Sequence, residues 1–289
     1  MFTIIVNTIA GNGKALKVAA LLETALQQRG LAFTMTRTEY AGHATVLAKA
    51  CADRGEERVF CVGGDGTAFE AANGLLGTAT ALGVIPGGTG NDFARSLGLP
   101  KDPVLAMDAL LAAPTRAVDV CRLNDRVFIN VCGAGFDVDV VVACNRAKRF
   151  VGGMLPYLYG VLHTLFTFKP RSFTLELDGE VRQELLLMVS VANGQYIGGG
   201  MHIAPMARLD DGLLDVITIR PVSRLRIPFL LPKFIDGSFI RLTYLVEHRR
   251  CRTVRISSPG MRMQMDGEVT AVEDALLSID GHQLMLLMP

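Results

Sequence analysis

The chain has 289 residues, half of them hydrophobic and a fifth charged, which excludes a disordered or fibrous chain and leaves room for one large domain or two ordinary ones. A net charge of +1 at pH 7 argues against wholesale electrostatic binding to nucleic acid or membrane. The six cysteines form no CxxC and no metal-ligand spacing, and most lie inside apolar runs, as small core residues in a reducing compartment do.

The opening MFTIIVNTIAGNGK has no basic segment before its short apolar run, so it reads as a buried strand and a turn rather than a signal peptide. FTIIVN predicts a strand and ALKVAALLETALQQRG an amphipathic helix ending at Gly30. AFTMTRT and HATVLAKACADRG repeat the pair, the helix ending at Gly55. RVFCVGG, TAFEAANGLLG, ALGVIPGG and DPVLAMDALLAA continue as strand, helix, strand, helix. Such alternation predicts a parallel sheet covered by helices, with ligands at the carboxyl ends of the strands.

Beyond RAVDVCRL the texture changes to strands joined by Asp-Gly, Asn-Gly or Pro turns: DRVFINVCGAGF, SFTLELDGEV, ELLLMVSVANG, LLDVITIRPV, RTVRISS, MRMQMDGEV and ALLSIDGHQLMLLMP. A second, largely antiparallel domain is therefore expected over 124–289, after a first domain over 1–123, with the last residues able to return to the first. One uncharged segment, residues 150–168, interrupts it between Arg146, Lys148 and Arg149 and Lys169 and Arg171. Its length fits a membrane span, but Gly152, Gly153, Pro156, Tyr157, Tyr159 and His163 favour a helix buried in or partly exposed on this domain. Leu155, Leu158, Tyr159, Leu162 and Phe166 share one helical face, and contact with a bilayer surface is the second option. From Arg220 to Arg255 nine basic residues are opposed only by Asp236 and Glu247, either a patch for phosphate or anionic lipid or a face balanced by acids elsewhere.

Three glycine turns end strands of the first half. NTIAGNGKA fails as a P-loop because Thr8 and Ala15 stand where glycine and a hydroxyl are required. In GGDGT, Gly63, Gly64 and Gly66 free the backbone and Thr67 opens a helix able to hold an anion. In PGGTGNDFA, Gly87, Gly88 and Gly90 do the same beside Thr89, Asn91 and Asp92. Asp65 is the anomaly, since a carboxylate in a phosphate turn repels phosphate unless a cation stands between them. The five histidines show no HxxxH or HExxH pattern, which argues against zinc, and His43 is read as a polar residue at a helix start.

GGDGT followed by PGGTGNDFA resembles the diacylglycerol-kinase-type lipid kinases, which include sphingosine and ceramide kinases and small bacterial lipid kinases. The resemblance runs on through TEYAGHA, VDV, INVCGAGFD, VANGQYIGGGMHIAPMARLDDGLLDV and MDGE, covering nearly the whole chain in order. It implies a fold of class α/β + β: a parallel α/β domain like that of NAD kinases and phosphofructokinases, a β-sandwich domain, and a nucleotide in the cleft between them. It further implies ATP contacts from Asn7, Thr38, Gly63, Gly64, Asp65, Gly66, Thr67, Gly88, Thr89 and Asn91. A structural Mg2+ is implied at Asp211 and the carbonyls of Arg208 and Leu213, with Asp65, Asp92 and Asp119 joined to magnesium through water. Asp266, with Glu268 beside it, is the implied base. Two departures stand out: NTIAGNG replaces the usual Asn-Pro start, and GTGND carries glycine where some members have another small residue.

These parts suit phosphoryl transfer, which needs a phosphate cradle, a cation and a base. DGE also occurs at Asp178–Glu180, and only chain order selects the Asp266 copy; an isolated Asp-Gly is first a hairpin turn, and Asp178–Glu180 is read as one. The expectation is an ATP- and Mg2+-dependent lipid kinase acting on a diacylglycerol-like hydroxyl, cytoplasmic and peripheral at the inner membrane face, with no nucleic-acid partner. An exposed strand edge in the second domain could pair two copies into a homodimer, though no segment identifies itself as that edge. An NAD-kinase-like enzyme shares GGDGT but accounts less well for GTGNDFA. A silent nucleotide or lipid sensor would have lost carboxylates that are all present here.

Overall fold

A computed structural model of the chain describes residues 1–147 and 155–289. Two compact units emerge: Met1–Val120 with Gly281–Pro289, and Cys121–Asp280.

In the first unit, β1 (Phe2–Val6), β2 (Phe33–Arg37), β3 (Arg58–Gly63) and β4 (Ala81–Pro86) alternate with α1 (Lys14–Gln28), α2 (His43–Asp53), α3 (Asp65–Leu75), α4 (Asp92–Ser96) and α5 (Pro103–Ala112), and β5 (Thr115–Leu123) leads out. The strands run parallel in the order β2-β1-β3-β4, and the end of the last strand of the chain joins β4 through Leu286 and Leu82. Ile4–Val6 and Val59–Val62 are wholly buried, as expected of a parallel sheet covered on both faces. The order reverses between β1 and β3, and it is at such a switch point, outside the carboxyl ends of the strands, that open α/β sheets bind ligands.

The second unit contains β6 (Arg126–Phe128), β7 (Val131–Gly135), α6 (Phe136–Ala147), α7 (Leu155–Thr167), β8 (Arg171–Leu177), β9 (Glu180–Leu186), β10 (Met188–Ala192), β11 (Tyr196–Ile197), β12 (Met201–His202) and β13 (Leu214–Ile219). It continues with α8 (Ile227–Asp236), β14 (Val246–Cys251), β15 (Thr253–Ser257), β16 (Arg262–Met265), β17 (Glu268–Ala271) and β18 (Asp274–Leu287), whose last residues belong to the first unit. One sheet is antiparallel in the order β14-β13-β10-β7-β16-β17, and opposite it β18, β15, β8 and β9 pair antiparallel. Phe173, Leu175 and Val254 of one sheet meet Ala134, Val189 and Met263 of the other in a shared core, which makes this a β-sandwich. The outer face of the β7–β10–β13 sheet forms a further core with Phe168, Leu230 and Phe239.

Two helices here go beyond the strand-rich reading of the sequence. FDVDVVVACNRA forms α6 although its Asp-Val alternation reads as strand, because Val138, Val140, Ala143 and Cys144 bury one helical face. IPFLLPKFID forms α8 with Leu230 inward. In the uncharged 150–168 segment, residues 150–154 lie outside those described, as do the flanking Lys148 and Arg149. The stripe read from periodicity is not the packed face of α7. Leu155, Tyr159, Leu162 and Phe166 point outward, while Gly160, Val161, Thr164 and Leu165 pack inward. A Cβ on Gly160 would come within 2.7 Å of the Val140 carbonyl, so that glycine lets α7 lie directly on α6. Among the described residues no helix is long and apolar enough to cross a membrane.

Candidate active site

The first unit brings its three glycine turns together at the β1/β3 switch point. Asn7, just past β1, donates through Nδ2 to Thr67 Oγ1 at 2.9 Å, joining the β1 turn to the first turn of α3. A Cβ on Gly63 would overlap the Thr67 side chain, and one on Gly88 would overlap the Gly64 backbone. A Cβ on Gly11 would come within 2.6 Å of the Gly87 carbonyl. The Gly87 amide donates to the Gly63 carbonyl at 2.7 Å. Gly11 and Gly88 are thus required by backbone packed on backbone, and Gly63 by the Thr67 side chain. Gly66 is different: it is helical and exposed, and nothing lies within 4 Å of a Cβ built on it. The fold gives no reason for glycine there, whereas a phosphate seated on the N-terminus of α3 would.

Asp65, the first residue of α3, directs Oδ1 to the Phe93 amide at 2.9 Å. Asn91, the residue before α4, is left-handed and makes no side-chain cap of its own, so Asp65 caps α4 from the neighbouring turn. Burial pushes the Asp65 carboxyl up from its ordinary value, opposed by backbone N–H groups of Phe93, Asp92 and Asn91. The carboxylate inside the glycine turn therefore has a structural partner even without a cation. Asn91 closes its own turn: Oδ1 accepts from the Gly88 amide (2.8 Å) and Nδ2 donates to the Gly88 carbonyl (3.1 Å). Thr89 is exposed at the tip, Thr38 and Asp119 are half-buried, and Asp92 is buried. The Thr38 amide donates to the Val6 carbonyl, which ties it to the end of β1.

Glu70 has a role that inspection of the motifs misses. Its Oε1 and Oε2 accept from the Gly42 (2.8 Å) and Ala44 (3.2 Å) amides, capping α2, which starts at a glycine without a side-chain cap. Helix α3 thus supplies both Asp65 and Glu70 as caps for its neighbours. The missing local cap was visible in AGHA; the residue that replaces it was not. His43 accepts the Glu39 amide at Nδ1 and stacks on Tyr40, as a residue at a helix start.

In the second unit both DGE copies build one device. Asp266 and Asp178 are left-handed (φ 48 for each), each followed by a glycine of positive φ, in the tight hairpins β16–β17 and β8–β9. The Asp178 carboxylate accepts the Arg252 and Thr253 amides at 3.0 and 2.8 Å, and these bonds, foremost that from Thr253, hold it below the usual carboxylate range. The Asp266 carboxylate accepts three amides, from Ile129 (2.9 Å), Asn130 (3.1 Å) and Val131 (3.0 Å). This clamp sits where DRVFINVCGAGF, read as strand, breaks between β6 and β7. Glu268 is exposed and pairs with Arg126 at 3.1 Å.

In ARLDDGLLDV, Asp211 accepts the Leu213 amide through Oδ1 at 3.2 Å. Its Oδ2 is buried, makes no hydrogen bond, and lies 3.6 Å from Arg250. A buried carboxylate oxygen with no hydrogen bond and only one long ion pair can still take a cation, so the loop fits the magnesium expected from the resemblance. Arg208 pairs loosely with Asp210 at 3.7 Å. Among the described residues no group of three or more His, Cys, Asp or Glu side chains could hold a metal ion. A magnesium here would therefore rest on one carboxylate, carbonyls and water, which is how this ion is usually held.

The 220–255 basic stretch divides. Arg220, Arg249, Arg250 and Arg255 pair with Glu247, Glu180, Asp211 and Asp274, so much of it is balanced by acids. Arg226, Lys233 and Arg241 are exposed on and around α8.

A parallel α/β unit with packed glycine turns at its switch point, carried with a β-sandwich unit, defines a protein of two-unit α/β + β architecture. Residues 1–123 match the diacylglycerol kinase catalytic domain and residues 130–288 the YegS C-terminal NAD kinase beta sandwich-like domain. A diacylglycerol kinase of Mycobacterium tuberculosis is 34% identical, over 99% of this chain and 94% of its own. One of Bacillus subtilis is 30% identical, over 92% and 88%. A protein of Chromohalobacter salexigens named "Probable lipid kinase YegS-like" is 34% identical over 74% and 71%. A crystal structure of a diacylglycerol kinase from Bacillus anthracis superposes with a TM-score of 0.76 at 24% identity, covering 100% of this chain and 96% of that one, which shows the shared fold. The chain belongs to the diacylglycerol kinase family of lipid kinases.

Proposed function

We propose that the protein transfers the γ-phosphate of ATP, with Mg2+, to a hydroxyl of a diacylglycerol-like lipid at a membrane surface. The observation that carries this reading is the backbone-on-backbone packing of Gly64 and Gly88 at the switch point, beside the open Gly66 at the start of α3. It leaves main-chain N–H groups where the phosphates of a nucleotide would sit, with Thr67, Asn7 and Thr89 as hydroxyl and amide contacts. Asp65 holds the two turns in register, and Asp92 and Asp119 complete the acidic set. Magnesium, when bound, would neutralise charge developing on the transferred phosphoryl group. Asp211, with the Arg208 and Leu213 carbonyls, would hold a structural ion.

Asp266 takes the proton of the lipid hydroxyl. Three backbone amides fix the direction of its carboxylate. Glu268 is the alternative base, distinguished by substitution. The relatives named diacylglycerol kinase support a neutral glycerolipid acceptor. For the membrane contact, the reading draws on the exposed apolar side chains of α7 and α8 and the nearby Arg226, Lys233 and Arg241.

The test is transfer from labelled ATP, with and without Mg2+, to a panel of lipids in mixed micelles and to NAD. Labelled phospholipid from a glycerolipid is the expected product. Labelled NADP with no lipid product would refute the reading.

A further inference from the structure

Between the methionines of β16 stands one buried polar side chain, Gln264. Met263 and Met265 point into the sandwich core, which turns Arg262 and Gln264 to the opposite face of the sheet. Arg262 pairs there with Asp139 of α6 at 2.7 Å, and Gln264 is only 1% exposed. A buried amide side chain is costly to a fold unless its donor and acceptor are both used.

Gln264 directs both to the hairpin that carries Asp266. Its Oε1 accepts the Gly267 amide at 3.1 Å, and its Nε2 donates to the Val131 carbonyl at 3.4 Å. The same carbonyl accepts the Asp266 amide at 3.1 Å, while the Asp266 carboxylate accepts the Val131 amide at 3.0 Å. An Asp-Gly hairpin leaves its two central amides out of the strand ladder, free to turn to water. Here both are committed, one to Val131 and the other to Gln264, so the left-handed pair Asp266–Gly267 is held at both amides. The twin hairpin is built differently. Glu176 stands at the matching place, half-buried, and among the described residues no side chain takes up the Gly179 amide.

Asp137 lies beside this arrangement. It opens α6 and is only 8% exposed, and neither of its carboxylate oxygens makes a hydrogen bond. Gly133, which pairs in register with Gln264, makes room for it, since a Cβ there would overlap Asp137 Oδ2. Burial, ahead of the opposing Val138 amide and Gln264 side chain, pushes the carboxyl up to about 7. An acid on that side favours the NH2 end of Gln264 over its oxygen, which keeps Oε1 turned to Gly267.

We propose that Gln264 is the positioning residue of the base: by holding Gly267 and Val131 together it fixes the turn from which the Asp266 carboxylate reaches the lipid hydroxyl. The inference rests on the reading of Asp266 as the base and deepens it. Gln264 has almost no surface to offer a substrate, so its effect on the reaction passes through the turn.

The test begins on the wild-type protein, with amide hydrogen exchange followed by NMR. The Gly267 amide should exchange at least about tenfold more slowly than that of Gly179, and a smaller difference would overturn the proposal. Gln264→Met, close in size and without an amide, should bring Gly267 to the Gly179 rate. It should lower kcat on lipid micelles about ten- to a hundredfold, the scale of a misplaced catalytic group, with KM for ATP within about twofold. Added to Asp266→Asn it should cost nothing more, since both act through one carboxylate. A loss below about tenfold in Gln264→Met, or the same loss repeated in the Asp266→Asn background, would overturn the proposal. Where the Met variant does not fold, Gln264→Asn, one methylene too short to reach both partners, carries the same expectations. The two readings fail separately. Asp266→Asn with more than about a tenth of wild-type kcat removes the base itself. A folded Gln264→Met with full kcat, beside an inactive Asp266→Asn, removes only the positioning role.

Discussion

The twin DGE hairpins supply a built-in control for the base. Asp178 and Asp266 share left-handed backbone, turn type and a carboxylate latched onto neighbouring amides. Replacing either by Asn exchanges one acceptor oxygen for an NH2 that faces N–H donors, so each variant loses part of its latch. Hydrogen bonds to a charged group are worth about 1.5–3 kcal/mol each where buried. Asp178 is exposed, and solvent screening reduces its loss to about 1 kcal/mol. Asp266 is half-buried with three donors, and about 2–3 kcal/mol is expected. General base catalysis contributes about 10²–10⁴-fold, well beyond what such a loss removes while the chain stays folded. Urea midpoints and kcat on lipid micelles separate the two effects. Asp178→Asn should lower the midpoint and keep kcat; Asp266→Asn should lower both, kcat by at least about a hundredfold. If folded Asp266→Asn kept more than about a tenth of wild-type kcat, Asp266 would not be the base. A hundredfold loss in Glu268→Gln would then move the role two residues along the hairpin.

Gly66→Ala meets no neighbour and gains helix propensity, so it should fold at least as stably as wild type while nucleotide affinity, measured by calorimetry, falls about tenfold or more. Gly88→Ala, whose Cβ overlaps the Gly64 backbone, should instead lose about 1–3 kcal/mol of stability in denaturant titration. The Asp137 carboxyl takes up its proton at about pH 7 in the folded chain and at the ordinary 3.8 when unfolded. Between those values the folded chain binds the extra proton, so stability should fall as pH rises from about 4 to about 7, by up to about 4 kcal/mol, and level off above. Asp137→Asn should remove that slope. Asp211→Asn should abolish the rise in melting temperature that Mg2+ produces in the wild-type protein, since it removes the loop's carboxylate whose Oδ2 makes no hydrogen bond.

What could be read from residues alone follows the range of the forces involved. Strand–helix alternation and glycine turns are local, so the parallel sheet and its phosphate-type turns were legible. The reversal between β1 and β3 was not, because strand order depends on pairings such as Thr3 with Val59 that no local pattern encodes. The same limit explains Asp65. Its composition context suggested a cation, whereas its oxygen reaches a helix N-terminus 28 residues on, a partner visible only once the two turns are packed. In the 150–168 segment, periodicity found an apolar stripe but not which way it faces. Close approach through the small Gly160 outweighs the larger side chains opposite, so the bulky stripe is left outside. Asp137 shows the converse. An acid in GAGFDVDVV looks like an ordinary helix-start or strand residue, and its significance arises from burial against Gly133, which no local pattern encodes. Local chemistry identified the groups that could act, and tertiary packing decides which of them are held, exposed or left without a partner.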